Sequence, residues 1–295
     1  MKAFTLIAIF LLGLHFSEAR DFRTFTNTSG KSIEAELLDM KDGVVKIRRS
    51  GKVFEITYDS LSKEDQDWLT AWDAKRQGDG ESLYYSELIF EDDFSGEGFG
   101  EKWSHYKSES LVQEGVLIGK TIDIDDHAGV DAIRMEGKQD LEVSVKFNFM
   151  SDQAERFNVW LDDKDYKGSH AGHICSISFS PTGGNVADAK TGAFENAIYE
   201  MKKSAAGLDE DTKKMLEGKT SRFELDLDRE EWHTLLIRTK GDAIEVQVNG
   251  DVVCEFQSEG IAHSTKSQIS LTTNINDVHY DDFSIRAAKA TAPAE

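Results

Sequence analysis

Residues 232–257, WHTLLIRTKGDAIEVQVNGDVVCEFQ, read as three short strands at 234–239, 243–248 and 252–257. Gly241-Asp242 separates the first two and Asn249-Gly250 the last two. Asn-Gly is the strongest short hairpin signal, because a type I′ turn needs φ > 0 at both central residues. Ile244, Val246 and Val248 alternate with Glu245 and Gln247, so one face of the middle strand is buried and one is wet. Val252, Cys254 and Phe256 share a face of the third. Three strands cover too little apolar surface to stand alone in water, so the stretch implies a larger antiparallel sheet.

Strands of the same kind extend on both sides. Residues 141–149 alternate strictly, with Leu141, Val143, Val145, Phe147 and Phe149 inward and Glu142, Ser144, Lys146 and Asn148 outward. Further strands read at 88–94, in a hairpin over 112–118 around Glu114-Gly115, and at 157–161, 174–179, 268–272 and 281–286. The first and last carry Asp-Asp-Phe and are expected to pair. Many short strands with turn signals between them predict a β-sandwich over residues 88–287. Residues 194–203 and 209–217 interrupt the pattern as two short polar helices, with Asp209 as N-cap and Gly218 at C′. They make a helical insertion at about 194–218.

The motif order F-x-D-D-F, an early Trp103, W-H-x-L-x-I-x-x-x-G-D-x-I-x-V-x-V-N-G and the closing D-D-F-S-I resembles a concanavalin-A-like jelly roll. It is similar to the exported bacterial 3-keto-disaccharide hydrolase domains and to laminarinase-type and lectin-like relatives. The resemblance covers most of residues 88–287 and carries fold rather than a catalytic motif.

Residues 20–77 read differently. Strands at 23–26, 33–40, 44–48 and 52–57 alternate with turns at Thr28-Ser29-Gly30, Asp42-Gly43 and Ser50-Gly51. Ser62 caps a short helix with Asp65 as its capping partner, and Trp68, Leu69 and Trp72 form its apolar stripe. The order R-x-F-T, G-x-x-x-x-A-x-L, Asp-Gly, V-x-I, G-K and L-S-x-x-D-x-x-W-L resembles the Sla-homology module. That resemblance implies a small SH3-like barrel, read here as a packing or attachment unit. The whole chain is thus expected to be mainly β: an SH3-like barrel with one helix, then a concanavalin-A-like antiparallel β-sandwich with a short helical insertion.

Charge separates the two parts. Residues 20–77 carry eleven basic and eleven acidic side chains, so the net charge of −21 resides in residues 78–295. The boundary is placed in a linker at 78–87 that begins in Gly78-Asp79-Gly80-Glu81, and residues 288–295 read as a disordered tail. So acidic a chain does not suit nucleic acid or an anionic membrane surface. Residues 1–19 have Lys2, an apolar run over 4–16 and a Ser17-Glu18-Ala19 cleavage site, the pattern of an export signal and too short for a membrane span. The protein is therefore expected outside the cytoplasm, periplasmic or secreted. Its two cysteines, Cys175 and Cys254, read as separate buried thiols rather than a bridge.

Five groups of residues are candidates for chemistry. Glu224, Asp226 and Asp228 alternate in FELDLDRE, similar to the E-x-D-x-(x)-E signature of laminarinase-type glycosidases, but Asp228 stands where a Glu is expected. The plainer reading is a solvated edge strand that resists pairing. Asp162, Asp163 and Asp165 with Gly168 resemble part of a calcium loop, with no Glu at Ile174; calcium is the only ion so implied, and no other cofactor is. Asp123, Asp125 and Asp126 form a second acidic run, and His127, His170 and His173 have loose spacing for zinc. Tyr106 and Tyr166, flanked by charges, are the aromatics best placed to stack on sugar rings. Without an intact acid/base motif, the sequence favours an exported non-catalytic protein that binds a glycan or an extracytoplasmic protein. The alternative is a carbohydrate-active hydrolase or lyase of 3-keto-glycoside or β-glucan type.

Overall fold

The computed structural model describes residues 22–41, 43–49, 52–78, 84–96, 99–123, 125–274 and 277–288. Residues 1–19, read as an export signal, Asp42, the Ser50-Gly51 turn, residues 79–83 of the expected linker and the tail after residue 288 lie outside the described residues.

Strands β1 (Phe22–Thr26), β2 (Ser32–Lys41), β3 (Val44–Arg49) and β4 (Lys52–Thr57) form an antiparallel meander in that order. Helix α1 (Lys63–Gly78) closes it. Phe25, Ala35, Val45, Ile47, Leu61 and Leu69 make a core separate from the rest of the chain. Ser62 caps α1 by accepting the Asp65 amide at 3.2 Å and donating to the Asp65 carboxylate at 2.8 Å. That carboxylate is buried and also takes Arg23 Nε at 2.9 Å and the Thr26 amide at 2.7 Å. Burial pushes its pKa up, but these bonds outweigh burial and hold it below the ordinary value. The expected capping pair is thus also the tie between helix and first strand.

The larger part follows. In chain order it contains β5 (Glu87–Asp92), α2 (Phe99–Lys102), β6 (Ser104–Tyr106), β7 (Leu111–Gln113), β8 (Val116–Gly119), β9 (Gly129–Lys138), β10 (Leu141–Phe149) and β11 (Arg156–Asp162). Next come β12 (His173–Ser180), β13 (Gly183–Asp188), α3 (Asn196–Lys203), α4 (Glu210–Glu217) and β14 (Thr220–Glu224). The chain closes with β15 (His233–Lys240), β16 (Ala243–Val248), β17 (Asp251–Gln257), β18 (Lys266–Asn274) and β19 (Val278–Ala287). One sheet runs β17-β16-β15-β10-β19-β8-β7, with β5 also on β19; the other runs β14-β13-β12-β11-β18-β9-β6.

The predicted meander is β15-β16-β17, and Asn249 and Gly250 have φ of 54° and 85°, as its type I′ turn requires. The inward residues of both sheets share one core. At its centre Phe157 stacks on Phe179 at 5.0 Å and meets Phe147 at 5.0 Å. The first and last strands do pair, Asp92 opposite Phe283, at an edge of the sheet: β5 has no other partner, while β19 carries β10 on its inner side. Cys175 and Cys254 are free and buried.

Some expectations change. The strand read through FELDLDRE ends at Glu224; beyond it the Leu225 and Leu227 amides bond to the Thr182 and Pro181 carbonyls, and the Glu230 amide to the Phe149 carbonyl. Gly218 caps α4 in the right-handed region, φ −74°, not in the left-handed one. Asn148, expected outward, is 2% exposed. Tyr84 and Tyr85, read as linker, pack on the larger part: Tyr84 donates to Asp140 at 2.5 Å and Tyr85 to the Thr239 carbonyl at 3.0 Å.

Candidate functional site

The outward face of the seven-stranded sheet is polar. Cross-strand partners share a face, so the register makes rows. One row is Ala132, Ser270, Trp160 and Ser176. The next is Val130, Thr272, Asn158 and Ser178, with Tyr106 opposite Val130 at the edge. A third brings Arg134, Gln268, Asp162 and His173 together. Ser176, Gln268, Ser270 and Thr272 are buried although they face away from the core, so they form a sunken floor below larger neighbours.

At one end of that floor stands an aspartate–histidine pair. Asp162 is 1% exposed, and its Oδ1 lies 2.7 Å from His173 Nδ1. A register shift makes the pair. Leu161 faces Cys175, but Asp162 faces His173, so Ile174 is the bulged residue. Without the shift Asp162 would face Ile174. Two successive left-handed residues, Ala171 (φ 55°) and Gly172 (φ 75°), turn the chain into His173. A side chain at Gly172 would put Cβ 2.1 Å from the Asp163 carbonyl oxygen, so only glycine fits.

Asp162 also lies 3.4 Å from Gln268 Nε2 and 3.5 Å from Lys164 Nζ. A buried carboxylate on Nδ1 holds the proton there and leaves Nε2 as the acceptor, the tautomer that a general base needs. Trp160 lies beside the imidazole, ring centroids 4.2 Å apart.

The helical insertion covers this end. Phe194 meets Trp160 edge-on at 5.2 Å and His173 edge-on at 5.1 Å. His170 stacks on Tyr199 of α3 at 3.9 Å. The His170 amide donates to the Phe194 carbonyl at 2.8 Å, which stitches the insertion to the turn before His173. Desolvation, then the neighbouring His173 and Lys203, lower the His170 pKa below the ordinary histidine value.

The residues singled out from sequence fall in different places. Asp162, Asp163 and Asp165 do not converge. Asp162 turns to His173, Asp163 accepts His263 at 2.8 Å and Thr265 at 2.5 Å, and Asp165 is exposed. Among the described residues no group of three or more His, Cys, Asp or Glu side chains could hold a metal ion. Glu224, Asp226 and Asp228 are exposed at the edge of the sheet. Tyr106 lies on the polar face and is 58% exposed, whereas Tyr166 packs on His263 at 4.9 Å in the loop after β11. His127 packs on Tyr106, and four strand steps part Tyr106 from His173. Sequence reasoning missed the Asp162–His173 pair, because the bulge that joins them has no signal in residue alternation; the left-handed Ala171-Gly172 turn ahead of β12 was the only local hint.

A cleft of about 440 Å³ on the other sheet offers less. Tyr85, Arg238, Lys240, Glu245 and Glu255 line it, but Arg238 already meets Glu142 at 2.8 Å and Glu245 at 3.8 Å. Arg238 is thus engaged within the sheet.

Solved structures with a similar course include a sialidase, 11% identical, with a TM-score of 0.48 over 68% of this chain and 18% of that one. A Bacillus subtilis protein of unknown function with a galectin-like fold is 10% identical, with a TM-score of 0.48 over 70% of this chain and 98% of that one. A non-specific endo-beta-1,3(4)-glucanase is 12% identical, with a TM-score of 0.46 over 69% of this chain and 91% of that one. No curated protein matches the chain. Residues 89–286 match the 3-keto-alpha-glucoside-1,2-lyase-like domain, and because that match spans more than half of the chain, the chain belongs to that family.

Proposed function

We propose that the chain is a carbohydrate-active lyase that acts on 3-keto glucosides at the outward face of the seven-stranded sheet. The observation that carries this reading is the buried Asp162 on His173 Nδ1, beside Trp160. A ketone at C3 of a glucoside acidifies the proton on C2. His173 Nε2 removes that proton as general base. The electron pair left at C2 forms the C1–C2 double bond, and the bond from C1 to the glycosidic oxygen breaks. The departing oxygen takes up a proton and leaves as an alcohol. No oxidant or reductant enters. Trp160 offers its face to the C–H side of the ring, and Gln268 and Ser270 lie within reach of its hydroxyls. Asp162 orients the imidazole and steadies the positive charge that it gains.

The test is turnover of a 3-keto glucoside, followed by absorbance of the conjugated enone product. His173→Gln should lower kcat by about a hundredfold or more, in the range of general-base catalysis, with an unchanged melting temperature. Activity within threefold of the parent protein would end the lyase reading.

One observation favours a non-catalytic glycan-binding protein instead. Phe194 packs edge-on against both Trp160 and His173, which suits a site that holds a ring more than one that turns it over. Binding of the same glucoside that survives His173→Gln, with no turnover in either protein, would select this alternative.

The charge, the apolar run and the small-residue cleavage site in residues 1–19 support export, to the periplasm or the medium. A mature N-terminus at Arg20 is the expected sign. Residues 20–77 are proposed as an SH3-like Sla-homology unit that serves in packing or attachment; its motif order and its meander closed by one helix support this.

A further inference from the structure

Two observations on the polar face are not used by the chemistry at His173. Thr272 is 5% exposed, and its hydroxyl oxygen is buried with no hydrogen-bond partner. A buried hydroxyl without a partner is costly and calls for one. Here it lies in the sunken floor of an outward face, where a partner from solution reaches it once the larger neighbours turn aside. In the same cross-strand row, Tyr106 stands at the edge strand with 58% of its surface exposed and its ring against His127 at 5.3 Å. Val130 lies between them and Asn158 lies on the other side of Thr272. The row thus offers an exposed aromatic face, a short apolar step and two polar side chains, the mixture that sugar rings require.

The row is also well separated from the reacting end. Tyr106 and Trp160 lie on strands three steps apart and in adjacent rows. With strands about 4.8 Å apart and rows about 7 Å apart, the separation is about 16 Å, more than one pyranose can bridge. The insertion with Phe194 and Tyr199 covers the His173 end, whereas Tyr106 stands at the opposite edge of the sheet.

We propose that the row Tyr106–Val130–Thr272–Asn158 is a second saccharide subsite, which receives the sugars on the leaving-group side of the bond at His173. This rests on the lyase reading for its direction, since the keto ring occupies the covered end. The ligand is then an oligosaccharide or a glycoside with a sugar aglycone rather than a single ring. Tyr106 stacks on the outer sugar, and Thr272 supplies the hydroxyl that pairs with the ring between.

The experiment uses the full chain with His173→Gln, so that the ligands persist. Calorimetry would measure Kd for a disaccharide and a tetrasaccharide of α-1,4-linked glucose, each oxidised at C3 of its non-reducing ring. The tetrasaccharide is expected to bind about tenfold tighter, within the range of one stacked ring and one added polar contact. Tyr106→Ala and Thr272→Val, each added to this background, should reduce that gain to within twofold. Thr272→Val should also keep or raise the melting temperature, because it removes an unpartnered buried hydroxyl; a purely structural threonine would leave the chain-length gain intact. Equal affinities in the His173→Gln protein, a gain that survives both added substitutions, or no binding of either sugar would each overturn the subsite. Failure of the lyase reading looks different: the gain is lost in both variants, yet His173→Gln cleaves the disaccharide as fast as the parent protein.

Discussion

Asp162 meets His173 rather than Ile174 because one residue is bulged, and the bulge is held by Gly172. The Gly172 carbonyl accepts the Asp163 amide at 2.8 Å, and a Cβ there would collide with the Asp163 carbonyl oxygen. Gly172→Ala should therefore cost on the order of 1–3 kcal/mol and move His173 off Asp162. Thermal unfolding with a turnover assay checks this; a variant that melts and reacts like the parent would show that the turn relaxes freely. Asp163, the next residue, anchors the same loop. Burial pushes its pKa up, but hydrogen bonds from Thr265, His263 and the Asp165 amide prevail and hold it at about 2. A carboxyl so depressed stabilises the fold fully above its unfolded value of about 4, and that stability is lost as the pH falls from about 4 to about 2. Chemical unfolding across this window should lose about 2 kcal/mol more in the parent than in Asp163→Asn. Parallel curves would show that Asp163 is not held down.

Among the elements, the β16–β17 turn is the most sharply specified. Asn249 adds to its left-handed φ a side chain that accepts the Thr234 amide at 2.9 Å and lies 3.0 Å from His233 Nδ1. The turn thus ties the start of β15 to the hairpin beside it. Gly250→Val would force a β-branched residue to φ 85° and should lower stability by about 1–3 kcal/mol, read from the denaturation midpoint. No change would mean that the hairpin closes in another way. Strand β14 shows the opposite case. Its Phe223, and Leu225 and Leu227 after it, pack inward, so Glu224, Asp226 and Asp228 point to water. Charges there guard an edge strand against pairing with another chain. Accordingly Glu224→Gln should leave turnover within twofold and stability within about 0.5 kcal/mol of the parent.

Across the whole molecule, two cores stand apart, one in the N-terminal meander and one between the two larger sheets. Arg48 of β3 joins them. It pairs with Asp282 and lies 3.0 Å from Asp281, while Lys146 reaches Asp282 at 2.6 Å. Asp281 and Asp282 sit together on one face because β19 is irregular opposite Ser144 and Lys146, with Asp282 at φ 49°. Burial and the neighbouring Asp282 carboxylate raise the Asp281 pKa. Arg48→Ala would leave two crowded carboxylates with one cation and should cost about 3 kcal/mol. Calorimetry of the full chain would reveal it. Residues 84–288 made alone, with Tyr84 and Tyr85 kept, should still unfold in one cooperative transition, since their core needs nothing from the meander. An aggregated or gradually melting product would count against that division.

The sequence by itself determined the sandwich, its central hairpin, the capped helix of the N-terminal part and the outward set of the acidic strand. Each follows from period-2 alternation, from a local demand on φ or, for the helix, from its capping pair and apolar stripe, and all are legible in a few consecutive residues. Tertiary structure decided the rest. Asp162 and His173 are eleven residues apart and meet only through a bulge, which alternation does not encode. Tyr106, Thr272 and Asn158 come from three strands, and only register sets them in one row. Arg48 finds Asp281 and Asp282 across more than two hundred residues. The Asp162–His173 pair and the Tyr106–Asn158 row depend on distances between strands, and a chain read in order contains no such distances until the sheets have closed.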